Sequence, residues 1–218
     1  MNDARVLVVA KAPVAGRVKT RLGATVGMVA ASELAAAALL DTIAACAEAF
    51  APDLRMIALA GDLADAVRGD EIERALEGWA VGRQRGSTFA ERLANAHVDV
   101  PDGGPVVQVG MDTPQVTPAL LDAAAAQLLE HEAVLGPAED GGWWVLGLRE
   151  PRSAAALHDV PMSTPSTYDH TRDALVAAGV GVGVTTALRD VDTVADADAV
   201  ARVASGSEFA RVWERVRP

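Results

Sequence analysis

Cysteine and aromatic rings are the scarcest chemistry in this sequence. The one cysteine, Cys46, has no intrachain partner. That excludes a disulfide-stapled scaffold and fits a reduced, cytoplasmic setting, with Cys46 read as a small buried hydrophobe. Phe, Trp and Tyr make up only 4% of the chain, so the core has to be built from small aliphatic contacts rather than stacked rings. Positive charge is also thin: 19 Lys and Arg against 30 Asp and Glu leave a net charge of −11. A duplex binder needs a broad basic face to displace counterions from phosphates, so nucleic acid is excluded as the main partner. No apolar run approaches the ~20 residues of a membrane span, and the opening Met1-Asn2-Asp3-Ala4-Arg5 with the short run after it does not make a signal peptide. Linkers, low-complexity tracts and internal repeats are absent as well.

What is present is ordinary globular composition, 50% hydrophobic and 22% charged over 218 residues, enough for one domain spanning 1–218 with a sizeable core. Val6 to Ala10 is a continuous apolar run, the pattern of a strand buried on both faces. Further strands are expected at Leu54 to Ala60, near Trp79, at 105–109, 133–135, 143–148 and 180–184. Helices are expected at about Met28 to Phe50, within 64–80, at Thr88 to Val98 with Ser87 as its cap, from Pro118 to about Glu130, at 166–178, 194–204 and 208–216. Strands alternating with helices indicate an α/β fold with a mostly parallel sheet. Ligands bind such sheets beyond the carboxyl ends of strands, which singles out the loops 11–21, 110–114 and 136–142.

The first of these loops carries a local reversal of charge. No acidic residue lies between Asp3 and Glu33, whereas Arg5, Lys11, Arg17, Lys19 and Arg21 do. Arg offers phosphate a bidentate fork and Lys a point charge, so Lys11, Arg17, Lys19 and Arg21 are candidate phosphate ligands. A solvated basic loop accounts for the same residues. Walker, dinucleotide and nucleophile-elbow signatures are missing, as are paired Cys or His metal spacings. Asp112, at a strand end in Gly110-Met111-Asp112-Thr113-Pro114, can hold a divalent ion against ligand phosphates or simply act as a turn residue. In Arg189-Asp190-Val191-Asp192-Thr193, alternate residues of an extended segment point the same way. Asp190 and Asp192 can therefore share a metal, or Asp192 or Thr193 can cap the next helix. Asp196 and Asp198 read as the solvated face of that helix. In 136–142, Glu139 and Asp140 are placed to contact sugar hydroxyls or act as a base, and Gly141 and Gly142 permit close approach to backbone; a hairpin turn explains the same residues. His97, His131, His158 and His170 stand alone as surface or helix residues. Trp143 and Trp144 point to opposite faces, one into the core and the other toward a pocket.

The segment Lys11-Ala-Pro-x-x-Gly16-Arg17-Val18-Lys19-Thr20-Arg21-Leu22 resembles the signature of the bacterial glycosyltransferase-like proteins of the nucleotide-diphospho-sugar transferase superfamily. Gln84 to Leu93, Gly110 to Pro114, Gly136 to Gly142, Ser163-Thr164-Pro165 and Arg189 to Thr193 agree with it in order. The resemblance implies the GT-A fold, a Rossmann-like, three-layer α/β/α arrangement with a mostly parallel mixed sheet. Lys-Thr-Arg-Leu, Gly-x-Asp-x-Pro and Asp-Val-Asp-Thr also resemble the 2-phospholactate guanylyltransferases, in which the corresponding aspartates gather Mg²⁺. That likeness implies Asp112, Asp190 and Asp192 as ligands of Mg²⁺ or Mn²⁺.

The chain departs from the glycosyltransferase-like pattern at Met111, Thr113 and 86–90. Those departures touch the acceptor more than the nucleotide. The expected activity is metal-dependent transfer from a nucleotide or nucleotide-sugar donor to a small-molecule acceptor, with Asp112, Lys19 and Asp140 catalytic and Gln84, Glu139, Asp140, Gly141 and Gly142 at the substrate. Glycosyl transfer leads, nucleotidyl transfer to a small phosphorylated acid is the alternative, and non-catalytic nucleotide binding is a third.

Overall fold

Seven short, mostly aliphatic segments form one sheet. A computed structural model describes residues 3–101 and 103–218; Met1 and Asn2, part of the opening considered as a signal peptide, lie outside them. In chain order the elements are β1 Arg5–Lys11, α1 Thr20–Val26, α2 Met28–Ala49, β2 Arg55–Ala60, α3 Gly69–Ala75, β3 Ala80–Arg83, α4 Phe89–Val98, β4 Val106–Val109, α5 Pro118–Gln127, β5 Ala133–Pro137, β6 Trp143–Leu148, α6 Thr167–Ala177, β7 Val182–Val184, α7 Val194–Val203 and α8 Glu208–Val216. The strand order is β3-β2-β1-β4-β6-β5-β7. Every pairing is parallel except those of β6 with β4 and β5. The expected mostly parallel mixed sheet is therefore present, and β6 alone runs backwards. As a result the carboxyl ends of β1, β4 and β5 and the start of β6 share one edge.

Alternation along the strands divides the core. Val6, Val8, Val107 and Val109 pack with α2, α3 and α5 on one face, while Leu7, Val9, Val106 and Leu146 pack with α4, α6 and the 3-10 segment Pro151–Leu157 on the other. This makes three layers. A third cluster joins Leu22 of α1, Leu34 of α2, Val200 of α7 and Trp213 of α8. Trp144 lies in the first cluster and Trp143 packs on the second, so the two indoles do point to opposite faces.

Local details differ from expectation where side chains outbid spacing. Thr88, not Ser87, caps α4, because Thr88 accepts from Glu91 N while Glu91 reaches back to the cap, a full capping box. Ser87 instead donates its hydroxyl to Glu91 at 2.7 Å. Helix α5 stops at Gln127, short of Glu130. Helix α1 was not expected at all; it starts inside the basic loop. Helix α2, with 22 residues and mean hydropathy 1.6, is long and apolar enough to cross a membrane, contrary to the reading that nothing approaches that length. Its Leu34, Leu39 and Ile43 are buried in the protein core.

Candidate functional site

The shared strand edge opens into a cavity of about 550 Å³. Its wall takes Lys11 from the end of β1, Asp112 from the loop after β4, Asp140 and Gly142 from the β5–β6 turn, and Asp190 and Asp192 from the segment before α7. The three loops singled out in the sequence thus meet at one place. The segment before α7 is tied to the loop after β4 by one backbone and one side-chain bond: Val191 N donates to Asp112 O at 3.1 Å, and Gln115 Nε2 donates to Arg189 O at 2.7 Å.

Lys19 is the hub of the acidic cluster. Its ammonium lies 2.7 Å from Asp112 and 3.5 Å from Asp192, and it donates a short hydrogen bond to Val191 O. The side chain is only 6% exposed. Reaching inward requires φ +47° at Lys19, a left-handed conformation that non-glycine residues seldom adopt. Burial alone would pull the amine down, but the Asp112 carboxylate, backed by Asp192 and Asp190, outweighs it and holds Lys19 above the usual lysine range. Burial, then the charges of Asp140 and Asp112, push Asp190 up to about 8 against the pull of Lys19. One Asp190 oxygen, Oδ1, is buried without a hydrogen-bond partner.

The basic loop divides its cations. Lys11 and Arg21 line the main cavity, Lys11 Nζ donating to Arg17 O at 2.8 Å and Arg21 lying 2.9 Å from Asp192. Arg17 lines the adjoining hollow of about 300 Å³ with Lys19, Asp112 and Asp192. Lys19 is accordingly a partner of carboxylates rather than an outward cation. Gln84 lines the cavity, with its amide nitrogen donating to Ala10 O and Ala58 O at 2.8 and 3.0 Å, which ties the ends of β1 and β2 together.

In the β5–β6 turn, Asp140 accepts from Gly142 N at 2.8 Å, so the turn reading and the cavity position both hold. Glu139 is drawn away, paired with Arg189, and is not part of the cavity wall. Gly141 is not part of it either. At φ +91° it backs onto Pro165, whose carbonyl oxygen would sit 2.0 Å from an added Cβ, and this locks 138–142 to the Ser163-Thr164-Pro165 wall.

Before α7, Thr193 is the cap, in a capping box with Asp196, which leaves Asp192 free to face Lys19 and Arg21. Asp196 and Asp198 are not a solvated face: Asp196 closes that box and pairs with Arg189, and Asp198 accepts from Trp213 Nε1 at 2.9 Å. One cavity group escaped the sequence reading, Gln108; its partner His97, expected at the surface or on a helix, lies on α4 but is fully buried. The readable sign was a single amide inside the aliphatic run Val106-Val107-Gln108-Val109.

Among the described residues, no group of three or more His, Cys, Asp or Glu side chains stands at metal-ligating spacing, and the Lys19 ammonium bridges Asp112 and Asp192. The donor set is nonetheless chemically suited to a hard divalent cation, being all carboxylate oxygen with one atom, Asp190 Oδ1, unsatisfied.

Known structures share this architecture. A protein from Desulfovibrio desulfuricans G20 assigned as a nucleotide-diphospho-sugar transferase superposes with TM-score 0.85 at 25% identity, covering 99% of this chain and 95% of its own. The manganese complex of Rv0371c from Mycobacterium tuberculosis H37Rv matches at TM-score 0.51 and 21% identity over 90% of this chain and 98% of its own. CMP:2-keto-3-deoxy-manno-octonic acid synthetase complexed with CTP matches at TM-score 0.54 and 11% identity over 93% of this chain and 99% of its own. The last two likenesses establish the fold alone, and that fold is the nucleotide-diphospho-sugar transferase type expected from the motifs. No curated protein sequence matches the chain. Residues 42–164, more than half of its length, match a family described as uncharacterized protein conserved in bacteria, and the chain belongs to that family, DUF2064.

Proposed function

We propose that the protein is a metal-dependent transferase acting on a nucleotide-activated donor, with glycosyl transfer from a nucleotide sugar as its reaction. The observation that carries this reading is the cavity that sets Lys11 and Arg21 beside Asp112, Asp140, Asp190 and Asp192. An anion and a cation can be held there side by side. Support comes from the fold shared with the Desulfovibrio protein at 25% identity.

Lys11, Arg17 and Arg21 bind the donor's phosphates, by fork and point charge. Asp112, Asp190 and Asp192 would hold Mg²⁺ or Mn²⁺, which supplies charge neutralisation for the departing diphosphate. Lys19 keeps Asp112 and Asp192 in place and contributes positive charge at the same point. The acceptor hydroxyl oxygen bonds to the anomeric carbon as that carbon's bond to the diphosphate oxygen breaks, and the hydroxyl proton passes to Asp140. Asp190, held protonated at neutral pH by its surroundings, is unsuited to that role until a cation compensates it.

A second reading is nucleotidyl transfer, favoured by the likeness in fold to the synthetase complexed with CTP. There the acceptor oxygen attacks the α-phosphate and pyrophosphate leaves. Calorimetric titration with nucleoside triphosphates and nucleotide sugars, with and without Mn²⁺, tests both. Binding that Mn²⁺ strengthens in the wild type, and that it no longer strengthens in Asp112→Asn, is the expected result. Pyrophosphate release from a triphosphate selects the second reading. Failure of every nucleotide and nucleotide sugar to bind, with or without Mn²⁺, would sink both.

A further inference from the structure

Gln108 is a glutamine in the middle of a buried aliphatic strand. It is 2% exposed and stands level with Leu7 of β1 and Leu146 of β6, on the face covered by α4. Its oxygen lies 2.9 Å from His97 Nε2. His97 is completely enclosed, and its Nδ1 has no partner. That orphan atom fixes the orientation of both groups. A neutral imidazole carries one N–H, and on Nδ1 it would be a buried donor with nothing to bond. An unpaired lone pair is the lesser cost. The proton therefore sits on Nε2 and donates to the Gln108 oxygen, and the Gln108 amide N–H₂ points away from His97. Burial pulls His97 down to about 4, which keeps the ring neutral throughout the physiological range.

The amide nitrogen of Gln108 has no hydrogen-bond partner among the described residues, and Gln108 lines the main cavity together with Val9, Leu93 and Trp143. A donor set among aliphatic and aromatic walls is matched by a neutral acceptor on a ring. Gln108 is level with Leu7, four residues before Lys11 at the end of β1, and Arg21 belongs to α1; Arg92 of α4 also lines the cavity, with its Nε donating to Thr88 O.

We propose that Gln108 is a specificity-determining residue whose amide N–H donates to a neutral ring oxygen of the ligand, a carbonyl or hydroxyl, with His97 as its positioning residue. The inference rests on the reading of this cavity as the site of a nucleotide-activated donor. Two parts of such a donor carry that chemistry, the base and the transferred sugar. A ligand lacking the oxygen leaves the amide unpaired, which weakens binding about ten- to a hundredfold.

The test is calorimetric titration, with Mg²⁺ present, of inorganic pyrophosphate, the four common nucleoside triphosphates, UDP-glucose and GDP-mannose. The proteins are the wild type, Gln108→Leu, His97→Phe, and the double variant His97→Phe/Gln108→Leu. Gln108→Leu is expected to bind pyrophosphate as the wild type does and its tightest ring-bearing probe at least about tenfold more weakly. A loss shared by the triphosphate of the same base assigns the base; a loss confined to the nucleotide sugar assigns the sugar. His97→Phe is expected to lower discrimination among ring-bearing probes while pyrophosphate is unaffected. The double variant removes both polar partners at once, so it should retain the fold and still show the affinity loss. Unchanged affinity of Gln108→Leu and the double variant for every ring-bearing probe overturns the proposal, as does an equal loss for pyrophosphate, which would mark a structural role. If the wild type binds none of the probes, the nucleotide reading falls and this inference falls with it.

Discussion

Asp190 and Asp196 stand six residues apart in the same closing segment and live under opposite conditions. Asp196 accepts from Thr193 Oγ1 at 2.8 Å and Thr193 N at 2.9 Å, and with these bonds its carboxyl lies below the usual range despite partial burial. Asp190 has a buried oxygen without a partner and is pushed up to about 8. The contrast extends to their surroundings. In the helical corner, Asp41 of α2 accepts from Glu208 N and Phe209 N at the start of α8, at 2.9 and 2.8 Å, and Trp213 donates to Asp198. In the cavity, Asp190 Oδ1 has no protein partner, the Gln108 amide bonds to His97 through its oxygen alone, and Lys19 holds a left-handed backbone. Buried polar groups are normally satisfied. The corner uses its charges to hold the fold, and the cavity leaves one buried carboxylate oxygen, Asp190 Oδ1, open for something else to bind.

Substitutions on the two sides should separate. The largest effect belongs to the corner: Trp213→Ala removes a fully buried indole and its bond to Asp198, and is expected to cost about 3–5 kcal/mol by denaturant titration. A loss under about 1 kcal/mol would mean this corner is not what holds the helices together. Next comes Asp190→Asn, with the opposite sign. Between pH 3.8 and about 8 the unfolded chain releases a proton that the folded one retains, so wild-type stability falls as pH rises through that window. At pH 7 the penalty reaches up to about 4 kcal/mol, and Asn should recover part of it. A less stable Asn variant at pH 7 would show that the carboxylate is already compensated.

His97 provides a third and slightly smaller effect. Its folded pKa near 4 against the ordinary 6.5 means that stability is full above pH 6.5 and lost as pH falls through about 4, by about 3 kcal/mol. From pH 4 to 6.5 the two groups oppose each other. Asp190→Asn should then gain stability more steeply with rising pH than the wild type, and His97→Gln less steeply; parallel melting curves for all three would break the assignment. Thr193→Ala is the smallest, about 1 kcal/mol for a lost cap, with no change in nucleotide binding if Asp192 is held by Lys19 rather than by the cap. A weakened nucleotide affinity would show that the capping box also sets the site.

The sequence shows the strands and the meeting of loops 11–21, 110–114 and 136–142, because continuous apolar runs and strand-end positions are local properties. The aspartates could be grouped through the alternation of Asp190 and Asp192 and the family resemblance. The inward turn of Lys19 was not legible, since nothing local signals a left-handed lysine; it follows from carboxylates that arrive from residues 112 and 192. The Gln108–His97 pair was hidden for a related reason. Each residue looks unremarkable in its own element, and only the stacking of α4 on β4 makes a donor of one and its anchor of the other. Glu139 was misplaced because its partner, Arg189, comes from a distant loop.

Lys19 also sets a condition on timing. Its bonds to Val191 and Asp192 span 172 and 173 residues of chain, among the longest closures in the molecule. Contacts of such separation form late, after the local helices and the neighbouring strand pairs. During synthesis, the first 180 residues can fold most of the sheet while the acidic cluster still lacks two of its aspartates. The cavity acquires its full charge only when the chain is nearly complete, so a product truncated near residue 180 would lack both Asp190 and Asp192 and the α7–α8 corner that packs on α1 and α2.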